Sequence, residues 1–491
     1  MGSPLPLDAD TNPVAPRASD EAGSLFQPGH NCQALTKVDK AALLIDGCNY
    51  FEALAKAIML AQRAIWIVAW DFDGHVRLNR DGAEGPTIGE VLRQRVEEMP
   101  DLEVRILVWS VAVVHAPSAP SELLIGDFWQ HHPRINLRLD TKHPIYASHH
   151  QKIVCIDDQL AFVGGIDVTV DRWDTRHHLP HDPRRICPDG SSYSPVHDLQ
   201  LMLNGDAAAL LSKAARRRWN EATGETIVEV STGEPALWID DHPVAFQGCH
   251  VALSRSMPCW GPRHRARESY HLTIDLLRSA RKSIFIESQY FTAQFVGDVL
   301  EELLQADEGP EIVVVASMNA HSRLERWVLG QNRDRLIRRL AACDRFGRFQ
   351  AYYPVVPASN GEEPILIHSK MIIIDDRFLR TGSSNLNNRS VELDSELDAT
   401  LMATQPSQFR DIKQARHSLL AEHLDATVEH FAHCEHETGS MIETIERLST
   451  KPRRLRAFPA LSDRGPRKPV FGTSLFDPMA PFEPDWLLKM R

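Results

Sequence analysis

The chain has 491 residues, with 54 Lys and Arg against 66 Asp and Glu, so its formal net charge is −12. Hydrophobic residues make up 43% and charged residues 24%, a globular composition that excludes global disorder, a collagen-like fibre and an integral membrane protein. A net negative chain is also poorly suited to non-specific nucleic-acid binding, which needs clustered cations.

Residues 1–35 start polar, Pro-rich and acidic, without the basic start and apolar run of a signal peptide, and are expected to be disordered. An amphipathic helix over Tyr50 to Ala61 leads into a buried strand from Ala64 to Trp70. A helix around Ile88 to Glu98 precedes the strand Val104 to Trp109. Helix Ala207 to Trp219 closes a first lobe, residues 36–230. The order then recurs in residues 231–430. Helix Ser269 to Ala280 leads to strand Ser283 to Glu287, helix Val296 to Gln305 leads to strand Ile312 to Ala316, and helix Phe409 to His423 closes the lobe. Asp425 to Arg447 reads as one more helix, and the chain from Thr450 as an extended, loosely packed tail, so residues 431–491 are helix plus tail. The strands at Ile65 and Ile284 are offset by 219 positions, and Lys152 and Lys370 by 218, which indicates an internal duplication. The expected fold is α/β: two similar lobes, each a mixed, largely parallel β-sheet flanked by helices.

The eight cysteines are scattered, with no C-x-x-C pair, and read as reduced core thiols. Cys155, between Val154 and Ile156, is one of these.

Two segments carry chemistry. His150-Gln151-Lys152, four apolar residues and Asp157 are followed after six residues by Gly164-Gly165-Ile166-Asp167. His368-Ser369-Lys370, four apolar residues and Asp375 are followed after six residues by Gly382-Ser383-Ser384-Asn385. The apolar runs read as central strands, and period-two alternation puts His and Lys of each motif on one face. Two lobes about a pseudo-twofold axis would unite two His and two Lys. That set suits phosphate chemistry, with one imidazole as nucleophile, the other as general acid and base, and two ammonium groups on the non-bridging oxygens. The lysines supply the charge a metal would, so no metal or cofactor is expected. Asp157 and Asp375 read as structural, fixing turns behind the site.

These segments resemble the paired H-x-K-x4-D motifs of the phospholipase D superfamily, over roughly residues 40–430. Ile284 to Phe291 is similar to the family's IYIENQYF segment, with Ser288 in place of Asn. Gly164 to Asp167 with Arg172-Trp173-Asp174 resembles the run found in phosphatidylcholine-type members. His197-Asp198 and Asp394-Ser395-Glu396 resemble the acidic elements that follow each motif. The resemblance implies a ping-pong reaction, with His150 as nucleophile and His368 as acid and base, or the reverse. Lys152, Lys370, Asn385 and Ser383 would stabilise the transition state. It implies that Glu396 orients His150 and Asp198 orients His368, each across the lobes, and that Asp167, Trp173, Glu287 and Gln289 line the substrate.

The implied activity is hydrolysis of a phosphatidylcholine-like lipid to phosphatidic acid and alcohol, with headgroup exchange. The alternatives are a cardiolipin synthase-like phosphatidyltransferase, a nuclease and a non-catalytic lipid-binding protein. The implied partner is a phospholipid met transiently at a membrane surface, by a cytoplasmic monomer with both lobes in one chain and no nucleic acid. The loop Thr175 to Arg185, rich in His and Arg, reads as a substrate-facing basic loop, with a zinc site or a solvated loop as alternatives. The basic runs Arg216-Arg217-Arg218 and Lys451 to Arg456 read as solvated surfaces or lipid-headgroup contacts.

Overall fold

The computed structural model describes residues 25–80, 85–111, 127–144, 146–229, 237–240, 242–261, 263–318, 323–359, 361–462 and 464–466, with 473, 477 and 478. The first half of the chain contributes β1 (Ala34–Lys37), β2 (Lys40–Ile45), α1 (Asp46–Leu60), β3 (Ala64–Ala69) and α2 (Ile88–Glu98). It continues through β4 (Glu103–Trp109), β5 (Ile135–Asp140), β6 (Ile153–Ile156), β7 (Leu160–Gly164), β8 (Leu199–Asn204) and α3 (Asp206–Thr223). The second half contributes β9 (Phe246–Gln247), β10 (His250–Met257), α4 (Glu268–Ser279), β11 (Ser283–Ser288), α5 (Gln294–Gln305) and β12 (Glu311–Ala316). Then follow α6 (Arg323–Cys343), β13 (Phe349–Ala358), β14 (Lys370–Ile374), β15 (Phe378–Gly382), β16 (Glu396–Met402) and α7 (Pro406–His423). The last elements are α8 (Val428–Thr438), α9 (Met441–Leu448) and β17 (Arg454–Ala457).

The strands form two large sheets whose first eight positions match in order, β9-β2-β8-β7-β6-β3-β4-β5 and β1-β10-β16-β15-β14-β11-β12-β13, the second continuing past β13 into a short antiparallel strand, Gly361–Pro364. The duplication is therefore visible strand by strand. Both sheets are mixed, but the parallel part is smaller than expected. It is limited to β3-β4-β5 in one and β11-β12-β13 in the other, and the strands carrying the H-x-K motifs join by antiparallel pairing. The edge strands are exchanged. β1, from the first half, pairs with β10, and β9, from the second half, pairs with β2.

Each central strand is apolar on both faces because both faces are covered. In β3, Ile65 and Ile67 pack with α1 and α2 residues, whereas Trp66 and Val68 join a cluster that also holds Phe285, Val313 and Ile373 of the second sheet. The two lobes thus share one continuous apolar core. Burying each such side chain contributes about 1.5–3 kcal/mol. Cys155 is fully buried in that core, and burial pushes its thiol up to about 12. All eight cysteines are free thiols.

Three terminal expectations need correction. Residues 25–35 are not disordered: Phe26 and Cys32 are buried, and Phe26 packs edge-on against Phe378 at 5.9 Å. Residues 1–24 lie outside the described residues. The helix expected over Asp425 to Arg447 is two helices, broken at Gly439, whose φ of 69° ends α8 in the left-handed region that glycine tolerates. The tail is not loose where described. β17 pairs antiparallel with β13, Phe458 is buried, and buried Asp477 accepts hydrogen bonds from Thr292, Asn388 and Arg389.

Basic runs expected at the surface are mostly tied down. Arg216 pairs with Asp158 and Arg218 with Asp140, both buried, and Arg454 and Arg456 hold Glu362.

Candidate active site

The strands β6 and β14 occupy equivalent places in the two sheets, and each begins just after or within an H-x-K motif. The Asp that ends each motif anchors its strand. Asp157 accepts hydrogen bonds from the backbone N–H groups of Gln62, Arg63 and Ala64 at 2.7–2.8 Å. Asp375 accepts from Arg281, Lys282 and Ser283 at 2.7–2.9 Å. Both have φ near 53°, a turn conformation that Asp adopts more readily than most residues. Their role is to fasten the motif strand to its neighbour.

The segment before each histidine crosses to the other lobe. The His150 N–H donates to Ser395 O at 2.9 Å, and the Ser395 N–H donates to Ser148 O at 2.9 Å. In the equivalent place, residues 366–367 pair in parallel with 196–197, and the His368 N–H donates to His197 O at 2.8 Å. The residue next to each contact is the carboxylate. Glu396 therefore faces His150, with Nδ1 2.9 Å from Oε2 and 3.1 Å from Oε1. Asp198 faces His368, with Nδ1 2.6 Å from Oδ2.

His150 Nδ1 also lies 3.1 Å from the Ser383 carbonyl. A carbonyl only accepts, so Nδ1 carries the proton and Nε2 keeps a lone pair. Burial, with the positive charge of Lys152 and Lys370, holds His150 well below the usual imidazole range. Burial likewise raises the Glu396 carboxyl well above its usual range, with Asp394 adding to the shift.

Each lysine reaches its own motif. Lys152 Nζ donates to His150 O at 3.1 Å and pairs with Asp167 at 2.9 Å. Lys370 Nζ donates to His368 O and to Gln289 Oε1, the latter at 3.1 Å. Burial lowers Lys370 to about 7, with Asp198 opposing and Lys152 adding to the shift. Asn385 Oδ1 is buried without a hydrogen bond, and Ser383 Oγ is engaged with the Leu397 backbone. Glycine is required beside the carboxylates: a Cβ on Gly165 would collide with Asp198 Oδ1, and one on Gly382 with Asp398 Oδ1.

Of the residues expected to line substrate, Asp167 and Gln289 stand beside the two lysines. Trp173 and Glu287 are engaged with other side chains. Trp173 is buried, with Arg80 and Arg184 over its ring at 5.3 and 4.9 Å. Glu287 is fully buried and bonded to His197, Ser369 and His423 at 2.9–3.1 Å. The resemblance placed Glu287 at the substrate; its carboxylate is taken up by these three side chains. The loop from Thr175 to Arg185 is also not a free basic rim. His178 and Arg185 are buried, and Arg176 bonds Glu422 and Ser418 of α7. The sequence had singled out neither Asp46 nor Glu422, which join that loop at His178 from distant positions, nor His423, which bonds Glu287. No composition or spacing signal links them.

The family model described as Phospholipase D matches residues 57–247, and that described as Cardiolipin synthase, PLD-like domain matches residues 273–416. Phospholipase D A of Dictyostelium discoideum is 26% identical over 421 residues, covering 72% of this chain and 32% of that protein. Cardiolipin synthase of Halalkalibacterium halodurans is 28% identical over 382 residues, covering 74% of this chain and 62% of that protein. The chain thus spans less than two thirds of these relatives. The solved phosphatidylserine synthase of Haemophilus influenzae Rd KW20 shares the fold with a TM-score of 0.54 at 11% identity, over 78% of this chain and 87% of that one. Among the described residues no helix is long and apolar enough to cross a membrane. With two family matches, one on each lobe, and a duplicated α/β fold, the chain belongs to the phospholipase D superfamily.

Proposed function

We propose that the chain is a phosphodiesterase that cleaves the distal phosphodiester bond of phosphatidylcholine-like glycerophospholipids, giving phosphatidic acid and the headgroup alcohol. The observation that carries this reading is the crossed pairing of His150 with Glu396 and His368 with Asp198. Each catalytic imidazole is thereby oriented by a carboxylate from the other lobe, so the site needs both halves.

In the first step His150 Nε2 attacks phosphorus, and the bond from phosphorus to the headgroup oxygen breaks. The leaving oxygen takes a proton from His368 Nε2. The product is a phosphatidyl group on His150 and a free alcohol. In the second step His368 takes a proton from water as the water oxygen attacks phosphorus. The phosphorus–nitrogen bond breaks and its electron pair returns to His150. Lys152 and Lys370 hold the non-bridging oxygens, and buried Asn385 adds a donor at the same place. An alcohol in place of water gives headgroup exchange. Access is from a membrane surface by a peripheral protein.

The match of residues 273–416 to a cardiolipin synthase-type domain supports a second reading, in which the acceptor is another lipid's alcohol. Product analysis by mass spectrometry separates the two. Incubation with phosphatidylcholine, phosphatidylglycerol and ethanol, alongside single-stranded DNA, is expected to give phosphatidic acid and phosphatidylethanol. Cardiolipin with released glycerol would favour the second reading, and cut DNA with intact lipid would contradict both.

A further inference from the structure

Behind the catalytic pair lies a cluster of ionisable side chains that this chemistry does not use. Asp46 opens α1, His178 lies in the loop after β7, His197 directly precedes Asp198, and Glu422 is near the end of α7. All four are buried. His178 Nε2 and His197 Nδ1 stand 3.0 and 2.9 Å from the same oxygen, Glu422 Oε1. Asp46 sets Oδ1 3.1 Å from His197 Nδ1 and Oδ2 3.6 Å from His178 Nε2. Four donors about 2.0–2.1 Å from a tetrahedral cation lie about 3.3–3.4 Å from one another. The spacing fits a cation at the centre.

Hydrogen bonding accounts for only part of this arrangement, the contact of His178 Nε2 with Glu422 Oε1 at 3.0 Å. Neither carboxylate oxygen of Asp46 makes a hydrogen bond, nor does His197 Nδ1, although all three atoms are buried. The far nitrogens, in contrast, are held. His178 Nδ1 is 3.0 Å from Asp174 Oδ2, and His197 Nε2 is 3.1 Å from Glu287 Oε2. A carboxylate behind each ligating imidazole fixes its tautomer and aims the other nitrogen at the metal. Charge points the same way. The carboxylates of Asp46, Asp174, Glu287 and Glu422 meet two cations, Arg176 on Glu422 and Arg185 on Asp174. With neutral imidazoles, two negative charges are left over in a buried space, where uncompensated charge is costly.

We infer that Asp46, His178, His197 and Glu422 form a closed structural site for a divalent transition metal, zinc foremost given two imidazole nitrogens and two carboxylate oxygens. Four protein ligands in a buried space leave no position for substrate, so the metal fastens rather than reacts. Three ligands come from the first lobe and Glu422 from the second. The site clamps the lobes together one residue from Asp198, which orients His368.

Two imidazolium protons would balance the same charge, and the experiment separates the two cases without an activity readout. The whole chain is purified from zinc-supplemented culture, passed over a chelating resin, and its metal measured by inductively coupled plasma mass spectrometry. The expected result is about one zinc per chain, falling below about a tenth of that in His178→Asn and Glu422→Gln. Asp174→Asn keeps all four ligands and tests the site even where the ligand variants fail to fold. It is expected to weaken zinc about 10–100-fold against a chromophoric chelator. Wild-type protein without stoichiometric metal, with both imidazoles doubly protonated by nitrogen NMR, overturns the inference. So does zinc bound undiminished by all three variants.

Discussion

His368 Nδ1 and Asp198 Oδ2 are 2.6 Å apart although 170 positions separate the two residues and they sit on different lobes. The contact exists because the strand leading into His368 pairs with the segment leading into Asp198. Asp198→Asn keeps the shape and removes the charge that stabilises the imidazolium. We expect kcat to fall about 10²–10⁴-fold with the melting temperature little changed. Glu396→Gln should act alike through His150. Because each pair acts as a unit, the Asp198→Asn/His368→Asn double variant should be no slower than His368→Asn alone, measured by initial rates of headgroup release.

Lys370 sets an alkaline limit. Its ammonium form is the one that holds a phosphate oxygen, and burial lowers its pKa to about 7. The working form is present below that pH and lost above it. In the free enzyme kcat/KM should therefore decline on the alkaline side with a midpoint near 7. Lys370→Arg, which stays charged, should be slower at every pH but lose that limb. A pH profile of kcat/KM for both proteins checks this.

Asp157 and Asp375 should behave as structural residues. Each carboxylate satisfies three backbone N–H groups. Asp157→Ala should cost about 2–4 kcal/mol in urea unfolding, because part-buried and buried donors are left unmet, and Asp375→Ala should cost less, because water reaches the N–H groups of Arg281 and Lys282. The kcat of the folded fraction should stay within about twofold, in contrast to the histidine variants.

Gly165→Ala should disturb catalysis at a distance. Its Cβ would collide with the Asp198 carboxylate. Displacing Asp198 releases His368, so kcat should fall with the Asp198→Asn pattern while the secondary structure persists by circular dichroism.

The duplication and the two motifs were legible because both are local: a fixed spacing, an apolar run, an Asp turn. The crossed pairing was legible through the resemblance, and the hydrogen bonds of His150 and His368 agree with it. Other features depend on chain packing that spacing does not encode. The exchanged edge strands, Ala34–Lys37 and Phe246–Gln247, are too short to carry a pattern. Glu287 was placed at the substrate by the resemblance alone, and its carboxylate bonds His197 and His423. Residues Phe26 and Asp477 looked like parts of loose ends, and become fixed only by Phe378 and Arg389 far away in sequence.

The central claim is that His150 forms the covalent intermediate with its free Nε2. The most direct measurement is acid-avoiding quench of the enzyme with phosphatidylcholine during turnover, followed by peptide mass spectrometry to place the phosphorus adduct. The account predicts the adduct on His150, absent in His150→Asn. An adduct on His368, or single-turnover kinetics with no enzyme-bound phosphorus at all, would contradict it.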